Sequence, residues 1–161
     1  MLVTSVAVAQ PADDPLDPTD APVAVQLAAE LCLRAQNDGY GWRYGIKPGE
    51  NDTSVSGWMI LALKSAEEAG LRIDSNAFAD ALTWFDEATE PATGRVGYDS
   101  VGSLSSRITG INDRYPSESG EAMTAEALRC RLVLREPPQS ALMEKQIELL
   151  QRKPPEWDPS G

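Results

Sequence analysis

Apolar side chains recur along this chain at helical spacing in five blocks, each closed by glycine or proline. In the first block Val23, Leu27 and Leu31 form a stripe with Ala24, Ala28 and Ala35 beside it, which predicts a helix over 22–36. Asp20 is placed to cap it and Pro22 suits its first turn; Gly39 and Gly41 break it. The second block predicts a helix over 53–69, with Asp52 as N-cap and Gly70 as stop. Its middle, Trp58 to Leu63, is apolar all round, so this helix is expected to lie in an inner layer, buried on most sides. Burial of Trp58 would make Trp58→Ala cost roughly 3–5 kcal/mol. The third block, over 75–88, places Phe78, Ala81, Leu82 and Phe85 at i, i+3, i+4 and i+7. Asp80, Thr83, Asp86 and Glu87 face away, which is the pattern of an outer helix. A fourth helix is predicted over 121–135, with Met123, Ala127, Cys130 and Leu134 on one face and Ala125, Leu128 and Leu132 on the adjoining one, ended by Pro137-Pro138. The fifth, over 140–152, carries Leu142, Met143, Ile147, Leu149 and Leu150. Its last turn is basic, which suits the helix dipole, and Pro154-Pro155 stops it.

The connections divide the chain. Residues 1–21 read as an N-terminal tail, 22–153 as the helical domain, and 154–161 as the opening of a further loop. Residues 10–21, rich in Pro and Asp, predict an extended, solvated linker. Before it, Ala7-Val8-Ala9 has the form of a cleavage site ahead of Gln10. That suggests the remnant of a signal peptide and an extracytoplasmic protein; without a basic n-region, a frayed tail explains the same residues. The loop over 39–51 is held out of helix by its glycines and Pro48, and the connection over 89–120 is unusually long, with a short turn expected over 104–111.

The order is helix, Gly-aromatic loop, apolar helix, short turn, amphipathic helix, and then the same again. Gly39-Tyr40-Gly41-Trp42 leads into the second helix, Gly97-Tyr98 into the fourth after an insertion, and Pro155-Glu156-Trp157 opens what reads as a third loop. The string Gln36-Asn37-Asp38-Gly39-Tyr40-Gly41-Trp42 resembles the Gln…Gly-x-Trp turn of squalene cyclase repeats, departing from it in its Gly-x-Gly-Trp spacing. The block from Trp42 to Leu71 looks like the prenyltransferase and squalene-oxidase repeat proteins of planctomycete-type bacteria. That resemblance implies an all-α chain, a partial α/α toroid built from helix pairs in inner and outer rings, often exported. It covers the first three helices well and the fourth loosely.

Composition narrows the chemistry. The 161 residues suit one globular domain, and the net charge of −11 would repel a phosphate backbone, so no nucleic-acid partner is expected. There is no histidine, which removes the commonest general base and the commonest zinc ligand. Cys32 and Cys130 are far apart; two small buried hydrophobes explain them, and a pairing between them is the other reading. The longest apolar run, Trp58 to Leu63, falls far short of the roughly 20 residues a membrane span needs.

The enzymatic motifs of the resembled families are missing or misplaced. Asp13-Asp14-Pro15-Leu16-Asp17 has the DDxxD form that holds magnesium diphosphate, yet Pro11, Pro15 and Pro18 deny it the helix that would gather the carboxylates. No D-x-D-D string supplies a cyclase acid, and no histidine completes a zinc set, so no catalytic residue, metal or cofactor is expected. A lone Asp52 before a helix reads as a cap. The candidate ligand-binding residues are Trp42, Tyr44, Asp52, Trp58 and Tyr98, grouped where a toroid opens its cavity. They would form an aromatic wall for an apolar or saccharide ligand, with ordinary packing as the plainer explanation. Arg43 either stacks on these rings or pairs with Asp52. The expected function is a non-catalytic binding or interaction module; the alternative is part of a terpene cyclase-like enzyme acting on polyprenyl substrates. Five helices fall short of a closed ring, so self-association or continuation into further repeats is expected. Far-UV circular dichroism of the chain is expected to show helical minima without a dominant β signal.

Overall fold

Capping chemistry sets the helix boundaries in this chain. The computed structural model describes residues 21–106, 110, 111, 113, 114, 116–137, 140–152 and 154. It holds α1 (Ala21–Ala35), α2 (Thr53–Glu68), α3 (Asn76–Glu87), α4 (Ala122–Val133) and α5 (Ala141–Arg152), with a 3-10 turn at Ser117–Ser119. Among the described residues there is no strand, only an antiparallel bridge between Thr89 and Val96, so the fold is all-α. Asp52 starts α2 as expected: its side chain accepts from the Ser54 and Val55 amides. Gly70 ends α2 in the left-handed region, with its amide on the Glu67 carbonyl and the Leu71 amide on that of Ala66, the paired bonds of a Schellman motif. α4 ends the same way, before Pro137-Pro138 is reached. The Arg135 amide bonds to Leu132 and the Glu136 amide to Arg131, and Arg135 takes the left-handed φ of 63° that glycine takes after α2. The expected Asp20 cap, the acidic DDxxD string, the Ala7-Val8-Ala9 segment and the Trp157 loop lie outside the described residues.

α2 is the hub. It packs against α1, α3 and α4, while α5 packs on α4. The core joins Ile60 and Leu63 of α2, Phe78, Ala81, Trp84 and Phe85 of α3, and Ala127 and Cys130 of α4, with Trp42 and Val96 supplied by the loops. The α3 stripe read from the sequence is therefore the buried one, and on α4 the Ala127 and Cys130 face is likewise the one that packs.

Two expectations about burial are corrected. On α1 the stripe of Val23, Leu27 and Leu31 is exposed; Ala29 and Ala35 are buried, and Cys32 and Leu33 pack on the core. On α2 the expected all-round burial fails: Trp58 is 76% exposed. All the neighbours of α2 meet the side carrying Thr53, Ser56, Gly57, Ile60 and Leu63, which leaves Trp58, Ala62 and Ser65 pointing away. Gly57 allows α4 to come close, because a Cβ there would strike the Glu126 side chain.

Charge anchors α4. Arg131, 3% exposed in its side chain, reaches Asp86 on α3 at 2.6 Å and Glu136 at 2.8 Å. Arg95 meets Glu121, which is buried at the start of α4, at 2.5 Å. Losing both of its carboxylates would leave the Arg131 cation in a site with little water.

The exposure difference has a measurable consequence. In urea melts Phe85→Ala, which empties a fully buried core position, is expected to cost about 3–5 kcal/mol. Trp58→Ala is expected to cost under about 1 kcal/mol, because no core contact is lost. Equal losses for the two would contradict the packing described here.

Candidate functional site

The loop after α1 is fastened to α2 through Trp42, whose side chain is fully buried. Its indole N–H donates to the Cys32 carbonyl at 2.8 Å, its backbone N–H donates to Ser56 Oγ at 2.8 Å, and its carbonyl accepts from the Asp52 amide at 2.9 Å. Gly41 is required beside it, since a Cβ would collide with Ser56 Oγ. Asn37 and Asn51 brace the loop from within. Asn37 Nδ2 donates to the Glu50 carbonyl and to Asn51 Oδ1, and Asn51 Oδ1 also accepts from the Gly41 amide. Gln36 Nε2 bonds to the carbonyls of Tyr40 and Ala77, joining the end of α1 to α3.

The same fastening recurs after α3. The Val96 amide donates to Thr124 Oγ1 of α4 at 3.1 Å, as Trp42 does to Ser56. The Ala88 carbonyl at the end of α3 is capped by the Gly97 amide at 2.9 Å, as the Ala35 carbonyl at the end of α1 is capped by Lys47. The counterpart of Trp42 is therefore Val96, two residues before the Tyr98 that the sequence pattern marked.

Asp52 and Tyr98 come together at the start of α2. Asp52 is fully buried, and its Oδ1 accepts from Ser54 N at 2.8 Å, Ser54 Oγ at 2.7 Å and Val55 N at 3.0 Å. The Tyr98 carbonyl accepts from the Thr53 amide at 2.8 Å, which draws the Tyr98 segment over the helix end. Attraction of its proton by the Asp52 carboxylate, followed by burial, pushes the Tyr98 hydroxyl up to about 12; the nearby Tyr44 adds to the rise and Arg43 opposes it. Asp52 Oδ2 is buried without a hydrogen bond of ordinary geometry, so Tyr98 and Asp52 interact by close approach rather than by a closed bond. Arg43 pairs with Glu50 at 3.4 Å, not with Asp52.

The five candidate residues thus separate. Trp42 is a core residue and cannot wall a cavity. Asp52, Tyr98 and the exposed Tyr44 share one locality, while Trp58 stands on the outward side of α2. The residues that sequence reasoning missed are Ser56, Thr124, Asn37 and Arg131, polar side chains buried to hold loops and helices. Asn37 and Ser56 flank a Gly-aromatic turn and a helix start, which was the available signal. Cys32 and Cys130 are free; Cys130 Sγ faces the Gly57 carbonyl at 3.7 Å, and burial, then Glu126, pushes its thiol up to about 12. Among the described residues no group of three acidic or cysteine side chains could hold a metal ion, and no helix is long and apolar enough to cross a membrane. A polar cleft beside Asn37 is lined by Asp38, Asp74 and Asp80, with the Lys47 ammonium on Asp38. No family model matches the chain, and no curated protein or solved structure is significantly similar to it.

Tyr98 gives this site a pH signature. A phenol raised in the folded state favours the folded chain at and below the ordinary value of 10.0, and that contribution is lost as pH rises toward about 12. Ultraviolet titration is expected to show Tyr98 ionising late, with stability falling between about pH 10 and 12. Asp52→Asn should bring that ionisation down, and Tyr98→Phe should remove it. An unchanged titration in Asp52→Asn would show that the carboxylate is not the cause.

Proposed function

We propose that this chain is a squalene cyclase/prenyltransferase-like repeat domain acting as a non-catalytic binding module, with an arc of a helix-pair toroid as its architecture. Two features support the arc. α2 and α4 pack side by side, with the other helices attached to one or other of them. The loop fastening before α2 is repeated before α4.

The observation that carries the binding role is Trp58. It is 76% exposed on the helix with the most neighbours. On the outward side of α2, Trp58 stands one turn before the exposed Ala62, an aromatic anchor beside a small apolar residue. Such a surface favours an apolar ligand or an apolar segment of a partner. The cyclase reading has less support: Asp52 Oδ1 accepts three hydrogen bonds at the start of α2, the geometry of a helix N-cap.

An environment-sensitive apolar dye tests the proposal. The native chain is expected to bind it, and Trp58→Ala to weaken binding at least several-fold while the melting midpoint stays within a few degrees. Absence of dye binding by the cooperatively folded native chain would overturn the binding role of this face.

A further inference from the structure

Helix α5 is joined to the rest of the molecule differently from α2, α3 and α4. α2, α3 and α4 each bury five residues, whereas α5 buries two, Met143 and Gln146. No residue of α5 belongs to the core cluster. Met143 and Leu128 of α4 are the buried apolar side chains that stand outside it among the described residues. A side-chain hydrogen bond ties α5 to the turn after α3, from Lys145 Nζ to the Pro91 carbonyl at 2.7 Å, and it is exposed. The Arg152–Glu148 pair lies within α5 itself.

Gln146 is the decisive residue. It is fully buried, yet among the described residues neither its Oε1 nor its Nε2 has a hydrogen-bond partner. An amide removed from water without replacement bonds opposes the burial that placed it there. Asp52 Oδ2 at the cap of α2 and Arg131 Nε on α4 are also buried without partners, but other atoms of those two side chains are bonded, whereas both polar atoms of the Gln146 amide are orphaned. When α5 lifts away, the Gln146 amide regains water, and the α1–α4 core loses none of its members.

We infer that α5 is a detachable cover on α4, a separately opening unit whose release is set by the unpaired Gln146 amide. Opening exposes Leu128 and Met143 together, an apolar surface that the closed chain keeps from water. Sub-global opening of this kind follows where a segment has few buried apolar contacts.

Hydrogen exchange by mass spectrometry on the full chain, under native conditions, tests this. Peptides covering α5 are expected to exchange at least 100-fold faster than those covering α2 and α3. Gln146→Met, close in size and free of the amide, is expected to narrow that gap by tenfold or more, and Met143→Ala to widen it, with exchange in α2 and α3 unchanged in both. Exchange of α5 at the same rate as α2 and α3 would overturn the inference. A gap left unaltered by Gln146→Met would overturn the role given to that residue.

Discussion

Everything in this fold depends on how the chain between two helices is tied down while its backbone groups are satisfied. Trp42 does this in the first unit: its ring fills the core, and its three polar groups bond to α1, to the start of α2 and to Ser56. Where the loop is buried, at Gly41 and Trp42, its backbone donors and acceptors cannot be left unpaired, and Asn51 and Ser56 supply partners for them. With the loop fixed, Asp52 is held at the helix start, α2 is oriented, and α1, α3 and α4 gather on one side of it.

Much of the helical order was legible in the sequence because it rests on local chemistry. Asp52 and Gly70 bound α2 through bonds to residues a few positions away, and the α3 stripe of Phe78, Ala81 and Phe85 is one face of a 3.6-residue period. What was not legible depends on where neighbours happen to lie. The apolar middle of α2 predicts burial all round, but three neighbouring helices on one side leave Trp58 in solvent. The α1 stripe misleads for a related reason: the core lies on the side carrying Ala29, Cys32, Leu33 and Ala35, which leaves Leu27 and Leu31 exposed.

The candidate site was legible in part. Asp52 and Tyr98 do meet, although the whole of α2 and α3 lies between them in the chain, and the meeting is made by a backbone bond from Thr53 to Tyr98 that no pattern of side chains announces. Arg43 had two plausible partners by sequence and took a third, Glu50, which is its neighbour across the loop. The Arg131 pairs with Asp86 and Glu136 are invisible to periodicity, since Arg131 falls one turn after the buried Ala127 and Leu128, where the helical pattern calls for an apolar residue.

The two loop fastenings enclose very different lengths of chain. Trp42 and Ser56 are 14 residues apart, whereas Val96 and Thr124 are 28 apart, and both pairs close the same kind of bond. Chain-closure entropy grows only as the logarithm of length, so a doubling adds about 0.6 kcal/mol. The architecture is therefore indifferent to what is spliced between fastening and helix. Such a junction can absorb new sequence, whether an extended loop, an epitope or an inserted module, and present it at the mouth of the helix layer without disturbing the scaffold that carries it.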